Sequence, residues 1–165
     1  MATITLHGDK VQTIGEMPAL GTKAPAFVLT DSDLADRKLE EFIGKTVVLN
    51  IFPSLDTPVC AASVRHFNGE AAKRDDVVVL CISLDLPFAH KRFCTTEGLT
   101  SVIGLSELRQ RAFGEAYGLR MIDGPLAGLL ARAVIVVDPQ GMVSYSQLVP
   151  EIVQEPDYAA ALAKV

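Results

Sequence analysis

Three apolar runs, each about as long as a strand and rich in β-branched side chains, dominate the hydrophobic pattern of this chain. They occupy residues 46–52, 77–83 and 133–137. Short apolar runs without polar alternation are typical of strands that are buried on both faces of a sheet. The pattern therefore predicts a central sheet with other elements packed on both sides.

Between the first two runs, residues 58–74 carry apolar side chains at helical spacing. A strand, a helix and a strand joined by short links form a βαβ unit, which predicts a parallel strand pair with a right-handed crossover. Weaker patterns predict a hairpin (residues 4–6 and 11–14), a strand (26–29), one helical turn (39–42), a helix (87–95), a strand (101–103), a helix (107–112), an irregular loop (114–128), a strand (142–149) and a C-terminal helix after Pro156.

This element order predicts an α/β protein with a thioredoxin-like fold. The expected architecture is a mixed central sheet with helices on both faces and an N-terminal β-hairpin. No repeat or linker divides the chain, so residues 1–165 are predicted to form a single domain.

Charge and composition exclude some classes of binding partner and indicate where in the cell the protein is located. The chain has 15 Lys and Arg against 20 Asp and Glu, a net charge of −5, which argues against nucleic acid or an anionic membrane as the main partner. No apolar run reaches the length of a transmembrane span. The first ten residues lack the basic start and apolar core of a signal peptide, so a cytoplasmic location is expected.

The chain contains three cysteines and no C-x-x-C pair. The cysteines are Cys60, Cys81 and Cys94, an odd number that does not suggest a disulfide framework. The three histidines have no cysteine or carboxylate partner at the spacing of metal ligands. We therefore expect neither a metal site nor a cofactor.

The segment Pro53-Ser54-Leu55-Asp56-Thr57-Pro58-Val59-Cys60 joins the first predicted strand to the helix that follows it. Pro58 suits the first helical position, with Thr57 before it as the N-cap. Cys60 then lies in the first turn, where free N–H groups and the helix dipole stabilise a thiolate. Open α/β sheets bind ligands at this end of their strands. Cys60 is therefore a candidate nucleophile.

The other candidate side chains are less informative, and for Thr57 spacing alone favours a simple helix cap over a role at the sulfur. Cys94 ends a predicted helix, and a disulfide with Cys60 would need the two Cα atoms within about 7 Å, a distance that spacing does not give. Cys81 lies within an apolar strand, where burial predicts a raised pKa and no reactivity. Arg132 precedes the third strand; its position favours a side chain that reaches solvent, but a guanidinium beside Cys60 would stabilise a thiolate.

Four strings resemble a known family. Pro53-x-x-x-Thr57-x-x-Cys60 is similar to the active-site motif of the peroxiredoxins, and residues 53–65 resemble the bacterial thiol peroxidases, their atypical 2-Cys subfamily. Residues 85–94, 123–129 and 146–149 resemble the same subfamily, so the likeness covers essentially the whole chain.

The resemblance implies an antioxidant peroxidase that reduces hydrogen peroxide and organic hydroperoxides. Cys60 would be the peroxidatic cysteine and would form a sulfenic acid, with Thr57 and Arg132 holding the thiolate and the peroxide oxygens and Pro53 shielding the sulfur. Cys94 would resolve the sulfenic acid as an intramolecular Cys60–Cys94 disulfide, which thioredoxin would reduce. The subfamily also implies a homodimer with the active-site entrance near the subunit interface.

Two other functions share these residues. A general thiol–disulfide oxidoreductase would have the same fold, but such enzymes normally use C-x-x-C, and Thr57 stands where the first cysteine would be. A non-enzymatic redox sensor would need a reactive Cys60 and a bound protein partner, for which the sequence offers no motif. A thioredoxin-dependent peroxidase is the leading hypothesis.

Overall fold

The three apolar runs form strands at the centre of a mixed seven-stranded sheet. A computed structural model describes all 165 residues. The strands are β1 (Thr3–Leu6), β2 (Asp9–Gln12), β3 (Val28–Asp31), β4 (Asp36–Lys38), β5 (Thr46–Ile51), β6 (Val77–Ser83), β7 (Val102–Ser106), β8 (Ala133–Val137) and β9 (Val143–Leu148). The helices are α1 (Pro58–Ala71), α2 (Pro87–Glu97), α3 (Ala112–Ala116) and α4 (Tyr158–Leu162), with one 3-10 turn at Leu39–Phe42. No helix combines the length and the apolar character that crossing a membrane requires.

The strand order is β4-β3-β7-β6-β5-β8-β9, and β1 and β2 form a separate antiparallel hairpin. β5 pairs in parallel with β6, and β6 in parallel with β7, as the βαβ pattern predicts. β8 lies antiparallel on the other side of β5 and continues into the hairpin partner β9. The start of β8 therefore meets the carboxyl end of β5.

Side chains of the central strands alternate between two apolar layers. In β6, Cys81 faces the layer that contains Phe67 of α1 and Ala161 of α4, and α2 packs on the same side. Leu80 faces the opposite layer, which contains Phe113 of α3 and the 3-10 turn. Helices thus cover both faces of the mixed sheet, and the predicted thioredoxin-like fold with its N-terminal hairpin is confirmed.

The helix predicted at residues 107–112 is wrong, since α3 starts only at Ala112. Glu107 is completely buried, and its carboxylate accepts a hydrogen bond from the Gly114 N–H at 3.1 Å. The carboxylate also lies 3.3 Å from Nε of Arg111. Burial raises the pKa of Glu107, and the nearby arginines oppose that shift. These contacts hold residues 107–111 as a turn rather than a helix.

The prediction of an irregular loop at residues 114–128 is wrong for residues 114–116, which lie in α3, but residues 117–128 form neither a helix nor a strand. Tyr117, Leu119 and Met121 of this segment are fully buried in the core. The Ile122 N–H donates to the carbonyl of Gln12 in the N-terminal hairpin at 2.9 Å. The glycines of this stretch therefore accompany a packed connection that fixes the hairpin to the body of the protein.

Candidate active site

Cys60 is the third residue of α1 and is completely buried. Pro58 occupies the first helical turn and Thr57 is the N-cap residue, as the sequence predicts. The Thr57 hydroxyl, however, makes no capping bond to the helix. It donates instead to the Ser54 carbonyl at 3.0 Å, which leaves its oxygen lone pairs free to accept.

The structure places Arg132 directly against Cys60. Its Nη1 lies 3.3 Å from the Cys60 Sγ, and its Nε donates to the Ile152 carbonyl at 2.8 Å. Arg132 is only 3% exposed, so the interpretation of a strand-end arginine reaching solvent is wrong. The contact follows from the topology, because Ala133 pairs with Ile51 at the carboxyl end of β5.

Arg132 has no carboxylate within ion-pair distance. A buried cation without a counter-ion is unfavourable, so the guanidinium favours a negative charge on the neighbouring sulfur. Its remaining N–H groups form a planar fork that suits oxygen atoms of a ligand.

A pocket of about 350 Å³ opens beside these residues. Pro53, Thr57 and Arg132 supply its face nearest Cys60, and Pro53 itself is buried. The rest of the wall is mostly apolar and consists of Leu6, His7, Pro58, Val59, Leu126, Ile152 and Val153. Cys60 does not line the pocket, so a ligand reaches the sulfur only when these side chains move slightly. A larger groove of about 430 Å³ lies against Phe27 and Phe113, and no cysteine or histidine lines it.

The N-terminal hairpin supplies Leu6 and His7 to the pocket wall and is held there by Glu151, a residue that sequence reasoning missed. The Glu151 carboxylate accepts hydrogen bonds from the Thr5 hydroxyl at 2.7 Å and from the N–H groups of His7 and Gly8 at 3.0 and 3.1 Å. These bonds, the Thr5 bond first, lower the pKa of Glu151 to about 2. The hairpin turn is thereby tied to the residue that precedes Ile152. No local sequence signal marks this contact, because its partners are more than 140 positions apart.

The other two cysteines lie on the same side of the sheet as Cys60. Cys94 is half-buried in α2, and burial raises the pKa of its thiol. Cys81 is buried as predicted, and burial raises its pKa to about 12. All three thiols are free, so the structure represents the reduced protein. It does not place Cys60 and Cys94 in a bonded pair.

Known proteins match this chain over nearly its full length. The sequence model of the redoxin family matches residues 19–162. The thiol peroxidase of Mycobacterium tuberculosis strain H37Rv is 56% identical over 163 residues, covering 99% of this chain and 98% of the relative. A peroxiredoxin-like protein from Aquifex aeolicus superposes with a TM-score of 0.94 at 38% identity, covering 99% of this chain and 95% of its own. The thiol peroxidase from Chromobacterium violaceum superposes with a TM-score of 0.87 at 25% identity, covering 98% and 93%. This chain therefore belongs to the redoxin family and, within it, to the thiol peroxidases, enzymes of the peroxiredoxin type.

Proposed function

We propose that this thiol-dependent peroxidase reduces hydrogen peroxide and organic hydroperoxides through Cys60, Cys94 and a thioredoxin reductant. The contact of 3.3 Å between Arg132 Nη1 and Cys60 Sγ carries the proposal. It combines a buried sulfur with a fixed cation and open hydrogen-bond donors, which peroxide reduction needs and simple packing does not. Such donors stabilise charge as it moves onto a leaving oxygen.

In the first step the Cys60 thiolate attacks the outer oxygen of the hydroperoxide. The S–O bond forms as the O–O bond breaks, and the departing alkoxide or hydroxide takes a proton to leave as an alcohol or water. Cys60 becomes a sulfenic acid. Arg132 holds the peroxide oxygens, and the free lone pairs of the Thr57 hydroxyl accept the peroxide O–H. Pro53 limits the access of water to the sulfur.

In the second step Cys94 attacks the Cys60 sulfenic sulfur. The S–S bond forms, and the sulfenic oxygen leaves as water. Thioredoxin then reduces the disulfide by thiol–disulfide exchange and returns both thiols to the reduced state. A reducing compartment such as the cytoplasm suits this cycle.

The pocket supports a range of hydroperoxides. Thr57 and Arg132 offer polar contacts to the oxygens of hydrogen peroxide or of any hydroperoxide. Leu6, Leu126 and Ile152 offer apolar contacts to the hydrocarbon part of an organic hydroperoxide. The likeness to thiol peroxidases further suggests a homodimer, which sedimentation velocity of the reduced protein tests directly.

Mass spectrometry under non-reducing conditions tests the cycle. After one equivalent of hydrogen peroxide we expect a cross-linked peptide pair that contains Cys60 and Cys94, and thioredoxin with its reductase should restore both thiols. A bridge to Cys81 instead, or no bridge, would contradict the proposed resolving role. Insulin reduction without peroxide should be negligible, because Thr57 replaces the first thiol of a C-x-x-C site.

The disulfide-forming step should accelerate with rising pH. Because burial raises the pKa of Cys94, its thiolate fraction is small at neutral pH and grows about tenfold per pH unit below that pKa. Rapid-quench mass spectrometry between about pH 7 and pH 9 measures this rate. Cys94→Ser should form no bridge at any pH and should accumulate sulfenic acid. A pH-independent rate in the unmodified protein would argue against Cys94 as the attacking thiol.

Glu151→Gln should affect bulky substrates more than small ones. The amide oxygen can keep the bonds on one side of the carboxylate, but the amide nitrogen cannot accept those on the other side. The hairpin turn that places Leu6 and His7 in the pocket should loosen. We expect kcat/KM for cumene hydroperoxide to fall about fivefold, as for the loss of one hydrogen bond, with little change for hydrogen peroxide. Equal losses for both substrates would show that Glu151 does not act through the pocket wall.

A further inference from the structure

A partly buried hydrogen-bond network outside the pocket connects the loop before Cys60 to the body of the protein. The Asp85 carboxylate accepts from the Ser54 hydroxyl and the Leu55 N–H, both at 2.8 Å, and from the Ser83 hydroxyl at 2.7 Å. Asp85 follows the carboxyl end of β6, which lies parallel to β5. One carboxylate therefore fixes the middle of the loop that carries the pocket residues.

The same network reaches α2 through His90. The Ser83 hydroxyl has one hydrogen, which it donates to Asp85, so its contact of 3.0 Å with His90 Nε2 requires that nitrogen to carry the proton and to donate. His90 is 1% exposed, and burial lowers its pKa to about 4, which keeps the ring neutral. A Cβ at position 104 would overlap the His90 ring, so Gly104 makes room for it.

His90 and Cys94 lie four residues apart and share one face of α2. The bond between His90 and Ser83 is the only buried side-chain hydrogen bond that α2 makes. The neighbouring Phe93 and Cys94 are only partly buried. His90 is therefore the principal polar anchor of the helix face that presents the second redox thiol.

We propose that Asp85, Ser83 and His90 form a positioning network that holds the Cys60 loop for peroxide attack and restrains the Cys94 helix until disulfide closure. This inference rests on the proposed function, since it assigns the two ends of the network to its two chemical steps. The Ser54 hydroxyl donates to Asp85, and the Ser54 carbonyl accepts a hydrogen bond from the Thr57 hydroxyl. The Asp85 end of the network therefore positions Thr57, which lines the pocket. Cys60 and Cys94 are free thiols, and their segments must approach before an S–S bond of about 2 Å can form. Release of the His90 end allows that approach.

Two substitutions at position 90 separate the hydrogen bond from packing. His90→Leu keeps bulk but removes the donor, and we expect the Cys60–Cys94 disulfide to form about five- to tenfold faster, the change expected for loss of one hydrogen bond. Its rate of sulfenic acid formation should stay within about twofold of the unmodified protein, by the same reasoning. His90→Gln keeps an N–H near the position of Nε2 and should retain the original closure rate. Thr96→Ala, on an exposed position of α2, is the matched control and should change neither rate.

A substitution at the other end should affect the first step instead. Asp85→Asn removes one of the two acceptor oxygens, and we expect sulfenic acid formation to slow about tenfold, as for a lost charge-assisted bond. Asp56→Asn is the control. Asp56 also connects the loop before Cys60 to α2, but through an exposed ion pair with Arg92 at 3.6 Å. Exposed ion pairs contribute little, so this variant should behave as the unmodified protein.

Rapid acid quench and mass spectrometry read both steps, because the chain has no tryptophan to report them by fluorescence. A dimedone adduct on Cys60, measured with each substitution combined with Cys94→Ser, reports the first step, and the cross-linked peptide in the presence of Cys94 reports the second. Absence of the Cys60 adduct in Cys94→Ser would refute the proposed function. Normal closure in His90→Leu, or equal acceleration in His90→Gln, would overturn the network.

Hydrogen–deuterium exchange of the reduced protein tests the restraint without any peroxide chemistry. His90→Leu should raise exchange in residues 87–97, and Asp85→Asn should raise it in residues 53–60. Unchanged exchange in both segments would overturn the network even if the peroxidase cycle were established.

Discussion

Replacing Cys60 with serine is expected to lower kcat/KM for hydrogen peroxide by about three orders of magnitude or more, as for loss of a catalytic nucleophile. The serine hydroxyl stays protonated at neutral pH, and the Arg132 guanidinium 3.3 Å from the sulfur cannot ionise an alcohol. Oxygen is also a weaker nucleophile toward the O–O bond than a thiolate. A coupled assay with thioredoxin, its reductase and NADPH measures the loss.

Cys81→Ala is the matched control for this experiment. Cys81 is as deeply buried as Cys60, but its pKa is raised to about 12 and it has no cationic neighbour within contact. We expect its peroxidase rate to equal that of the unmodified protein. If Cys60→Ser kept a tenth or more of the activity, a different thiol would have to be the nucleophile.

Arg132→Met is expected to lower kcat/KM by about 100- to 1000-fold, the usual cost of removing a donor that stabilises a developing negative charge. Methionine keeps the length and the apolar stem of the side chain, so the loss reports the guanidinium. Arg132→Lys keeps the charge but loses the planar fork, and its rate should lie between the two. Single-turnover formation of the sulfenic acid measures the affected step. A loss smaller than about threefold in Arg132→Met would show that the guanidinium does not act in the reaction.

The same substitution should not destabilise the fold. Arg132 is almost completely buried and lacks a carboxylate partner, so its charge is retained at a cost in desolvation. We expect the free energy of unfolding of Arg132→Met, measured by urea denaturation, to equal or exceed that of the unmodified protein. A clear loss of stability would indicate that the bond from Nε to the Ile152 carbonyl outweighs that cost.

Local chemistry allowed the sequence to predict the strands and the position of Cys60. Uninterrupted apolar runs predict buried strands because both faces of those strands are covered, and β5, β6 and β8 follow this rule. Pro58 fits only the first turn of a helix, so it fixes where α1 begins and where Cys60 lies in it. The prediction of the helix start failed, because buried contacts of the Glu107 carboxylate with Arg111 and Gly114 replace a helix at residues 107–111. The burial of Tyr117 was also not predictable from local sequence, since its hydroxyl donates to the carbonyl of Pro25, 92 positions away.

The sequence by itself therefore determined the candidate nucleophile Cys60, its place at a helix start and the layered α/β architecture, since each depends on neighbouring residues or on periodicity. The tertiary structure decided which side chains surround that thiol. Arg132 lies 72 positions from Cys60, and it reaches the sulfur only because β8 pairs with β5. Strand order is set by the packing of the whole sheet, which no local pattern encodes, so position alone favoured a solvent-exposed Arg132 that the fold instead buries beside the Cys60 sulfur.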